Sequence, residues 1–320
     1  MSDAVIGVDV GGTGVRAVAV GADGSHAGKA RRVALKTRAR AEVLGRVVDV
    51  VAQAAKEAPD GVRAVGVGLP AFLALPQGEV RLAPNLPELN GWAAAEELSR
   101  ALGHPVIVEN DANAAAYGEA WQGAGKGLDP MVFLGLGTGV GGGIVLGGEV
   151  LHGRAGMAGE LGHLTVYPDG ARCGCGAQGC LEAYASGTGV VRAFLEDTAG
   201  LPEAAFKDLY GDRTRLTARQ VAELAAAGDA AAFRVFARAG TALGIAVGQL
   251  AHVFNPAGVV LGGRLAAGAW DLLWPTLWEE VSTRTPKALR EGLSILPAKL
   301  GADAGAVGAA GLAWRHVGAA

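Results

Sequence analysis

The stretch His163 to Glu182, HLTVYPDGARCGCGAQGCLE, constrains this chain more than any other. All 3 cysteines of the protein, Cys173, Cys175 and Cys180, lie on this Gly-rich loop, which has few apolar side chains to pack. Such a loop keeps one shape only if something other than a hydrophobic core holds it. Together with His163, the thiols form a four-ligand set of the soft and borderline donors that a tetrahedral zinc ion takes. Metal binding would then supply the folding energy that the loop lacks. With all four positions filled by protein, none is left for water, so the expected zinc is structural and not catalytic. The Cys-x-Cys-x4-Cys spacing is uncommon among zinc fingers, and three incidental thiols are the competing reading. Two flanking carboxylates, Glu160 and Glu182, are not needed by the metal. A rigid loop carrying two such groups suggests a scaffold that offers hydroxyl-binding side chains to a polar ligand.

An odd cysteine count within one local cluster argues against a disulfide framework and for a reducing compartment, so a cytoplasmic location is expected. The formal net charge is -3 and no basic block occurs, which removes the electrostatic footprint of a nucleic-acid binder. The N-terminus, MSDAVIGVDV, has no positive region leading into a signal-like core, and no export is expected. No Asp, Glu, Lys or Arg occurs between Arg238 and Arg264. Gln249, His252, Asn255 and Pro256 interrupt that stretch, so a buried helix over Ala230 to Phe254 followed by a core strand is expected instead of a membrane span.

The chain opens with an apolar run, Val5 to Val10, a turn at Gly11-Gly12-Thr13, and a second run, Val15 to Val20. Asp23-Gly24 is a hairpin signal, and a third strand is expected over His26 to Leu35, giving a β-meander and not a βαβ unit. The pattern recurs faintly later: Met131 to Leu136, a turn at Gly137-Thr138-Gly139, and a return over Gly141 to Leu146. Tight Gly turns of this kind expose backbone N–H groups and make anion-binding nests. Two phosphate-binding hairpins, one per domain, are therefore expected to face each other across a cleft. The Gly-rich segment Gly123 to Gly127 marks a boundary between residues 1–122 and 123–302, with residues 303–320 packing back on the first part. It contains no GxxxxGK[ST] pattern, so no P-loop is present. Phe72 to Gly91 reads as irregular. Asp111 stands as an N-cap ahead of an alanine-rich helix. Helices are also expected over Trp270 to Thr283 and Asp303 to Trp314.

Five segments together resemble the ROK family of bacterial sugar kinases (repressor, open reading frame, kinase), and its glucokinase branch in particular. They are Asp9-x-Gly11-Gly12-Thr13-x-x-Arg16; Glu109-Asn110-Asp111-Ala112-Asn113; Leu136-Gly137-Thr138-Gly139-Val140-Gly141-Gly142-Gly143; Gly159-Glu160-Leu161-Gly162-His163 with Cys173-Gly174-Cys175-Gly176-x-x-Gly179-Cys180-x-Glu182; and Asn255-Pro256 with Val259-Val260-Leu261-Gly262-Gly263. The resemblance covers essentially the whole chain, and the zinc signature is its most specific part. It implies the two-lobed α/β actin-like ATPase fold, related to hexokinase and ribonuclease H, with mixed sheets and a cleft. Some relatives are repressors with an N-terminal DNA-binding domain; here the first phosphate strand begins almost at Met1, and no such domain is expected. Ala71 stands where relatives often carry Gly, which would trim the sugar pocket.

The resemblance implies ATP-dependent phosphorylation of the 6-hydroxyl of a hexose, with glucose first and N-acetylglucosamine or N-acetylmannosamine as the alternative acceptors. It implies Asp111 as general base, a role one carboxylate can combine with helix capping. Sugar contacts fall to Asn85, Asn110, Glu160, His163 and Glu182. Asp9 would act near the Mg²⁺ that bridges the nucleotide phosphates. Gly11, Gly12, Thr13, Gly137, Thr138 and Gly139 would cradle phosphate, and Gly262 and Gly263 would let the adenosine lie close. His163, Cys173, Cys175 and Cys180 would hold zinc. The partners implied are a hexose, a nucleotide and further copies of the chain in a dimer or tetramer. Polyphosphate in place of ATP stays open. Outside this class stand a non-catalytic sugar-sensing protein and an actin-like filament protein.

Overall fold

The structure, a computed structural model, describes residues 3–26, 28–58 and 61–318. By its internal contacts the chain divides into two units. One comprises residues 1–133, 143–159 and 299–320, the other residues 134–142 and 160–298.

The elements of the first unit, taken along the chain, are β1 (Ala4–Gly11), β2 (Gly14–Gly21), β3 (Arg31–Ala34), α1 (Arg40–Ala55), β4 (Val62–Leu69), β5 (Phe72–Ala74), β6 (Glu79–Leu82), α2 (Ala94–Leu102), β7 (Val106–Asn110) and α3 (Asp111–Gln122). Among the described residues its main sheet runs β3-β2-β1-β4-β7, with β1, β4 and β7 parallel and β1, β2 and β3 antiparallel. Side chains alternate along a strand, and this sorts β1 cleanly. Ile6, Val8 and Val10 join one core with Val43, Val47, Val50 and Val51 of α1. Val5 joins a second core with Ala306, Val307, Ala310 and Ala313, near the C-terminus. Because both sides of the sheet are covered, β1 reads as a continuous apolar run.

The third strand differs from the expected His26 to Leu35. It begins at Arg31, paired with Ala17, and His26 makes only an isolated bridge to Val20. Residue 27 lies outside the described residues. Nor is Phe72 to Gly91 wholly irregular: β5 and β6 pair there, and a 3₁₀ turn covers Pro87–Leu89. Strands of three and four residues are too short to show a period, but Leu73, Val80, Leu86, Leu89 and Trp92 are all buried and anchor the segment.

In the rest of the chain come β8 (Met131–Leu136), β9 (Val140–Leu146), β10 (Glu149–Val150), α4 (Glu182–Ala185), α5 (Gly187–Asp197), α6 (Glu203–Tyr210), α7 (Ala218–Ala226), α8 (Ala230–Phe254), β11 (Gly258–Gly262), α9 (Gly263–Arg284), α10 (Lys287–Arg290), β12 (Ser294–Pro297) and α11 (Ala304–Gly318). Its sheet runs β10-β9-β8-β11-β12. The hairpins β1–β2 and β8–β9 both turn on Gly-rich loops, as the repeated pattern predicts. Helix α8 is capped by Asp229, whose Oδ1 accepts the Ala232 N–H at 2.8 Å, and ends at Asn255, which takes a left-handed φ of 42° before Pro256. Among the described residues α8 is the helix long and apolar enough to cross a membrane, but 61% of that stretch is buried within the protein, as expected of a core helix. It packs on α9, and a Cβ at Gly240 or Gly244 would strike the carbonyl oxygen of Leu273 or Leu277. Helix α9 starts at Gly263, not at the expected Trp270. Its backbone breaks at Ala269 (φ -137°, ψ 21°), so the periodic part after the kink was the part visible in the pattern.

Helix α11 returns to the first unit, starting one residue later than expected, after a 3₁₀ turn at Gly301–Asp303. Its Ala- and Gly-rich sequence is explained by what it lies against. A Cβ at Gly7 or Gly66 would collide with the carbonyl oxygen of Ala306 or Ala309. A Cβ at Gly308 would collide with that of Ala114, and one at Gly118 with that of Ala304, so α3 and α11 interlock through reciprocal glycines. Both partners in each collision are backbone and neither can swing away. Gly308→Ala is therefore expected to destabilise the fold by about 3 kcal/mol, at the upper end for overpacking. A lowered urea midpoint at unchanged m-value would show it; an unchanged midpoint would contradict the close crossing.

Candidate functional site

In the first unit the parallel strands β1, β4 and β7 end together: Asp9 is paired with Gly68, which is paired with Glu109, and Leu69 with Asn110. Polar residues at the carboxyl ends of parallel strands are where open α/β sheets bind ligands. Asp9 falls on the side of β1 that carries Val5 and Gly7, toward α11. A Cβ added to Gly305, in the first turn of α11, would come 3.0 Å from the Asp9 Cγ, so glycine there leaves room for the carboxylate. Across the hairpin, Asp9 pairs with Arg16, whose guanidinium bonds Asp303. Burial, and then the charge of Asp111, push Asp9 up to about 7; Arg16 opposes this and Asp303 adds to it.

Asp111 opens α3. It is not the N-cap, as the sequence pattern suggested. That position belongs to Asn110, whose Oδ1 accepts the N–H groups of Ala112 at 3.0 Å and Asn113 at 3.1 Å. The helix takes in Asp111 itself, one residue earlier than the pattern suggests, which moves the cap back to Asn110. Asp111 is the first helical residue, and its Oδ1 accepts the Ala112 N–H at 2.9 Å. Burial raises its pKa above the ordinary carboxylate range, while that backbone bond lowers it. A Cβ on Gly68 would lie 3.5 Å from the Asp111 Cα, so the strand passes close beneath the helix start. Asn110 Nδ2 donates to the Ala71 carbonyl at 3.3 Å. Gly12 and Thr13 are exposed at the β1–β2 turn. Asn85 lies on an exposed turn, where Arg38 Nη1 donates to its carbonyl at 3.3 Å.

The second unit gathers the metal candidates. The ligand atoms of His163, Cys173, Cys175 and Cys180 all lie within 4.8 Å of one another. Cys175 Sγ is 3.7 Å from Cys180 Sγ, and His163 Nδ1 is 3.7 Å from Cys173 Sγ. Thiolates about 2.3 Å from a tetrahedral zinc stand roughly 3.7 Å apart, so the spacing fits the ion. Burial pushes the Cys180 thiol up to about 12, and a cation beside it would favour the thiolate. The hairpin carrying the thiols is shaped by Cys173 N–H to Ala177 O at 2.9 Å and by Gly176, at φ 95°. His163 Nε2 lies 3.9 Å from Glu160 Oε2.

Glu182 ties this loop to the second Gly turn. Its Oε2 accepts the Val140 N–H at 2.9 Å, and its Oε1 is 3.7 Å from Cys173 Sγ. The turn at Gly137-Thr138-Gly139 also docks on the start of α5: Gly187 N–H donates to Gly137 O at 2.8 Å, and Thr188 Oγ1 to Thr138 O at 2.9 Å. Beside it opens a cavity of about 1290 Å³ lined by Gly137, Thr138, Thr188, Leu216, Arg264 and Ala269, among others. Arg264 directly follows Gly262 and Gly263. Gly263 has φ 86°, and a Cβ there would strike the Leu136 carbonyl, so only glycine lets α9 start against β8.

Arg16, Glu109, His152, Asp303 and Gly305 were not assigned site roles from the sequence. Glu109 had a visible signal, a carboxylate at the end of an otherwise apolar strand. His152 and Asp303 had none, since only tertiary contacts bring them to Glu109 and Arg16.

Comparison with known proteins is consistent across the chain. The ROK family model matches residues 5–316. The glucokinase of Thermotoga maritima is 36% identical over 316 residues, which cover 98% of each chain. The ROK family glucokinase of Streptomyces griseus, solved in complex with glucose and AMPPNP, superposes with a TM-score of 0.83 at 34% identity, covering 98% of this chain and 99% of that one. The ROK hexokinase of Thermus thermophilus gives a TM-score of 0.82 at 34% identity, covering 99% and 100%.

Proposed function

This chain belongs to the ROK family, and from that premise we propose that Asp111 is the base with which it phosphorylates glucose. The enzyme is an ATP-dependent hexose kinase acting on the 6-hydroxyl of glucose. Asp111 accepts the hydroxyl proton as the sugar oxygen bonds to the γ-phosphorus. The bond from that phosphorus to the bridging oxygen breaks, and ADP leaves with the electron pair. One observation carries this reading. Strands β1, β4 and β7 end together and place Asp9 and Asp111 close enough to interact, in a site dry enough to raise both pKa values. A raised pKa makes the Asp111 carboxylate a stronger base than an exposed one.

Asn110, held by the α3 backbone and Ala71, and Asn85 are the sugar contacts proposed in the first unit; Glu160, His163 and Glu182 are those proposed in the second. Gly11, Gly12 and Thr13, and Gly137, Thr138 and Gly139, are the proposed phosphate cradles. The cavity beside Gly262, Gly263 and Arg264 is the proposed adenosine pocket. Asp9 offers the hard oxygen ligand that Mg²⁺ prefers, and the bound ion would offset phosphate charge. The zinc expected on His163 and the thiols would be structural. A homodimer or homotetramer in the cytoplasm is proposed, the thiol cluster calling for a reducing compartment.

ADP release coupled to a spectroscopic reporter tests the acceptor, using glucose, mannose, fructose, N-acetylglucosamine and N-acetylmannosamine with ATP, and glucose with polyphosphate. Glucose with ATP is expected to have the highest kcat/KM. An acetylated sugar that exceeds it overturns the choice of glucose; no acceleration by any sugar overturns the kinase reading.

Asp9 also makes stability depend on pH. Its folded pKa of about 7 lies above the ordinary 3.8, so the folded chain holds more protons than the unfolded chain between those values. Stability therefore falls as pH rises through that window. Without magnesium, Asp9→Asn is expected to raise the urea midpoint at pH 7.5 and leave it unchanged at pH 4; with magnesium present, it is expected to lower kcat. An equal midpoint change at both pH values would contradict the burial of a carboxylate charge.

A further inference from the structure

Glu109 is a buried carboxylate that the reaction as described does not use. Its Oε1 accepts the backbone N–H of Asn110 at 2.8 Å and Nδ2 of Asn113 at 3.1 Å. Its Oε2 lies 2.6 Å from His152 Nε2. A charge taken out of water needs partners of this kind. His152 is half-exposed and follows β10, in a turn closed on itself by the Ala158 N–H donating to the His152 carbonyl at 3.1 Å.

Helix capping does not account for the pair, because Asn110 already caps α3 with its own side chain. Glu109 acts instead on its own peptide link to Asn110, one residue ahead of Asp111. It also orients Asn113, whose buried Oδ1 has no partner among the described residues, so Glu109 alone is seen to fix that amide. The bond to Glu109 raises His152 above the ordinary imidazole range, in keeping with a strong, charge-assisted contact.

We infer that His152 and Glu109 are a positioning pair: His152 holds the Glu109 carboxylate, Glu109 holds the Asn110 peptide and the Asn113 side chain, and Asp111 is thereby aimed. The inference rests on Asp111 being the base. The Asn110 side chain is held separately, by Ala71 and the α3 N–H groups, so sugar affinity should not depend on the pair. Misplacing a catalytic group by a fraction of an ångström lowers the rate without removing a binding contact.

Kinetics at saturating ATP test this. His152→Ala is expected to lower kcat by about tenfold or more, with the KM for glucose within about threefold of the parent's. His152→Gln, whose amide can donate from near the place of Nε2, should recover most of the rate. Glu109→Gln keeps the shape and removes the charge; it should lose about as much as His152→Ala, and the double variant no more than the worse single one. A kcat for His152→Ala within about twofold of the parent's overturns the pair, as does a His152→Gln variant equally slow, or losses that multiply in the double variant. If His152→Ala fails to fold, Glu109→Gln decides, and a kcat within about twofold of the parent's overturns the inference. Asp111→Ala, run in parallel, separates the two readings. If it stays active, the base assignment fails; if it is inactive while the pair variants are unimpaired, only the positioning role fails.

Discussion

Asp111→Ala is expected to lose at least about a hundredfold in kcat, since positioned acid–base groups contribute about 10²- to 10⁴-fold, while glucose binding measured by calorimetry stays within a few-fold. Such a result is usually open to the objection that the substitution damaged the helix. Here the objection is weak. The α3 cap is Asn110, and both of its bonds, to Ala112 and Asn113, survive the substitution. What Asp111 gives the helix is a first-turn negative charge and one bond to Ala112, worth about 0.3–1 kcal/mol as a dipole interaction. Burial already opposes its ionisation, so its removal also lifts a desolvation penalty. The folded population should therefore hardly change, and the loss of rate should report chemistry. A variant keeping more than about a tenth of the parent kcat would remove Asp111 from the base role.

Cys175→Ser is expected to take bound zinc from one ion per chain to near zero, measured by elemental analysis after dialysis, and to raise the KM for glucose by about tenfold or more. Cys175 is the informative thiol because it is exposed, whereas Cys173 and Cys180 are buried. Substituting Cys180 would disturb packing and ligation at once; substituting Cys175 disturbs ligation alone. The loop from Thr165 to Cys180 is held by a few backbone bonds and by the Tyr184 hydroxyl, which accepts the Ala171 N–H at 2.7 Å. Those bonds without the ion leave it open to proteolysis between His163 and Glu182. Glu160 and Glu182 lie directly beside the ligands and should lose their placement with them, which is why sugar affinity should register the loss. A zinc-free protein with the parent's kcat and KM would end the structural role of the metal.

Several features were legible because they depend on neighbours in sequence. His163 and the three thiols stand out as a candidate metal set, since they span only residues 163–180 and the fold brings them together. The Asp229 cap and the Asn255-Pro256 stop bound α8, because caps and stops act within one helical turn. The repeated strand, Gly turn and strand pattern is equally local, and it located both hairpins. Short segments defeated the same reasoning. Strands β5 and β6 carry too few residues to show a period, and the kink at Ala269 hid the first turns of α9.

By itself, the sequence determined the two Gly turns, the long helix α8 and a four-residue set, His163, Cys173, Cys175 and Cys180, that could hold a metal, because periodicity, capping and ligand chemistry act over a few residues. Only the tertiary structure decided that Asn110 and not Asp111 caps α3, that Asp303 pairs with Arg16, and that His152 holds Glu109. The last two contacts join residues 287 and 43 positions apart. Such pairs follow from strand register and from how closely α11 can approach the sheet, and that approach depends on glycines whose missing side chains make no local pattern.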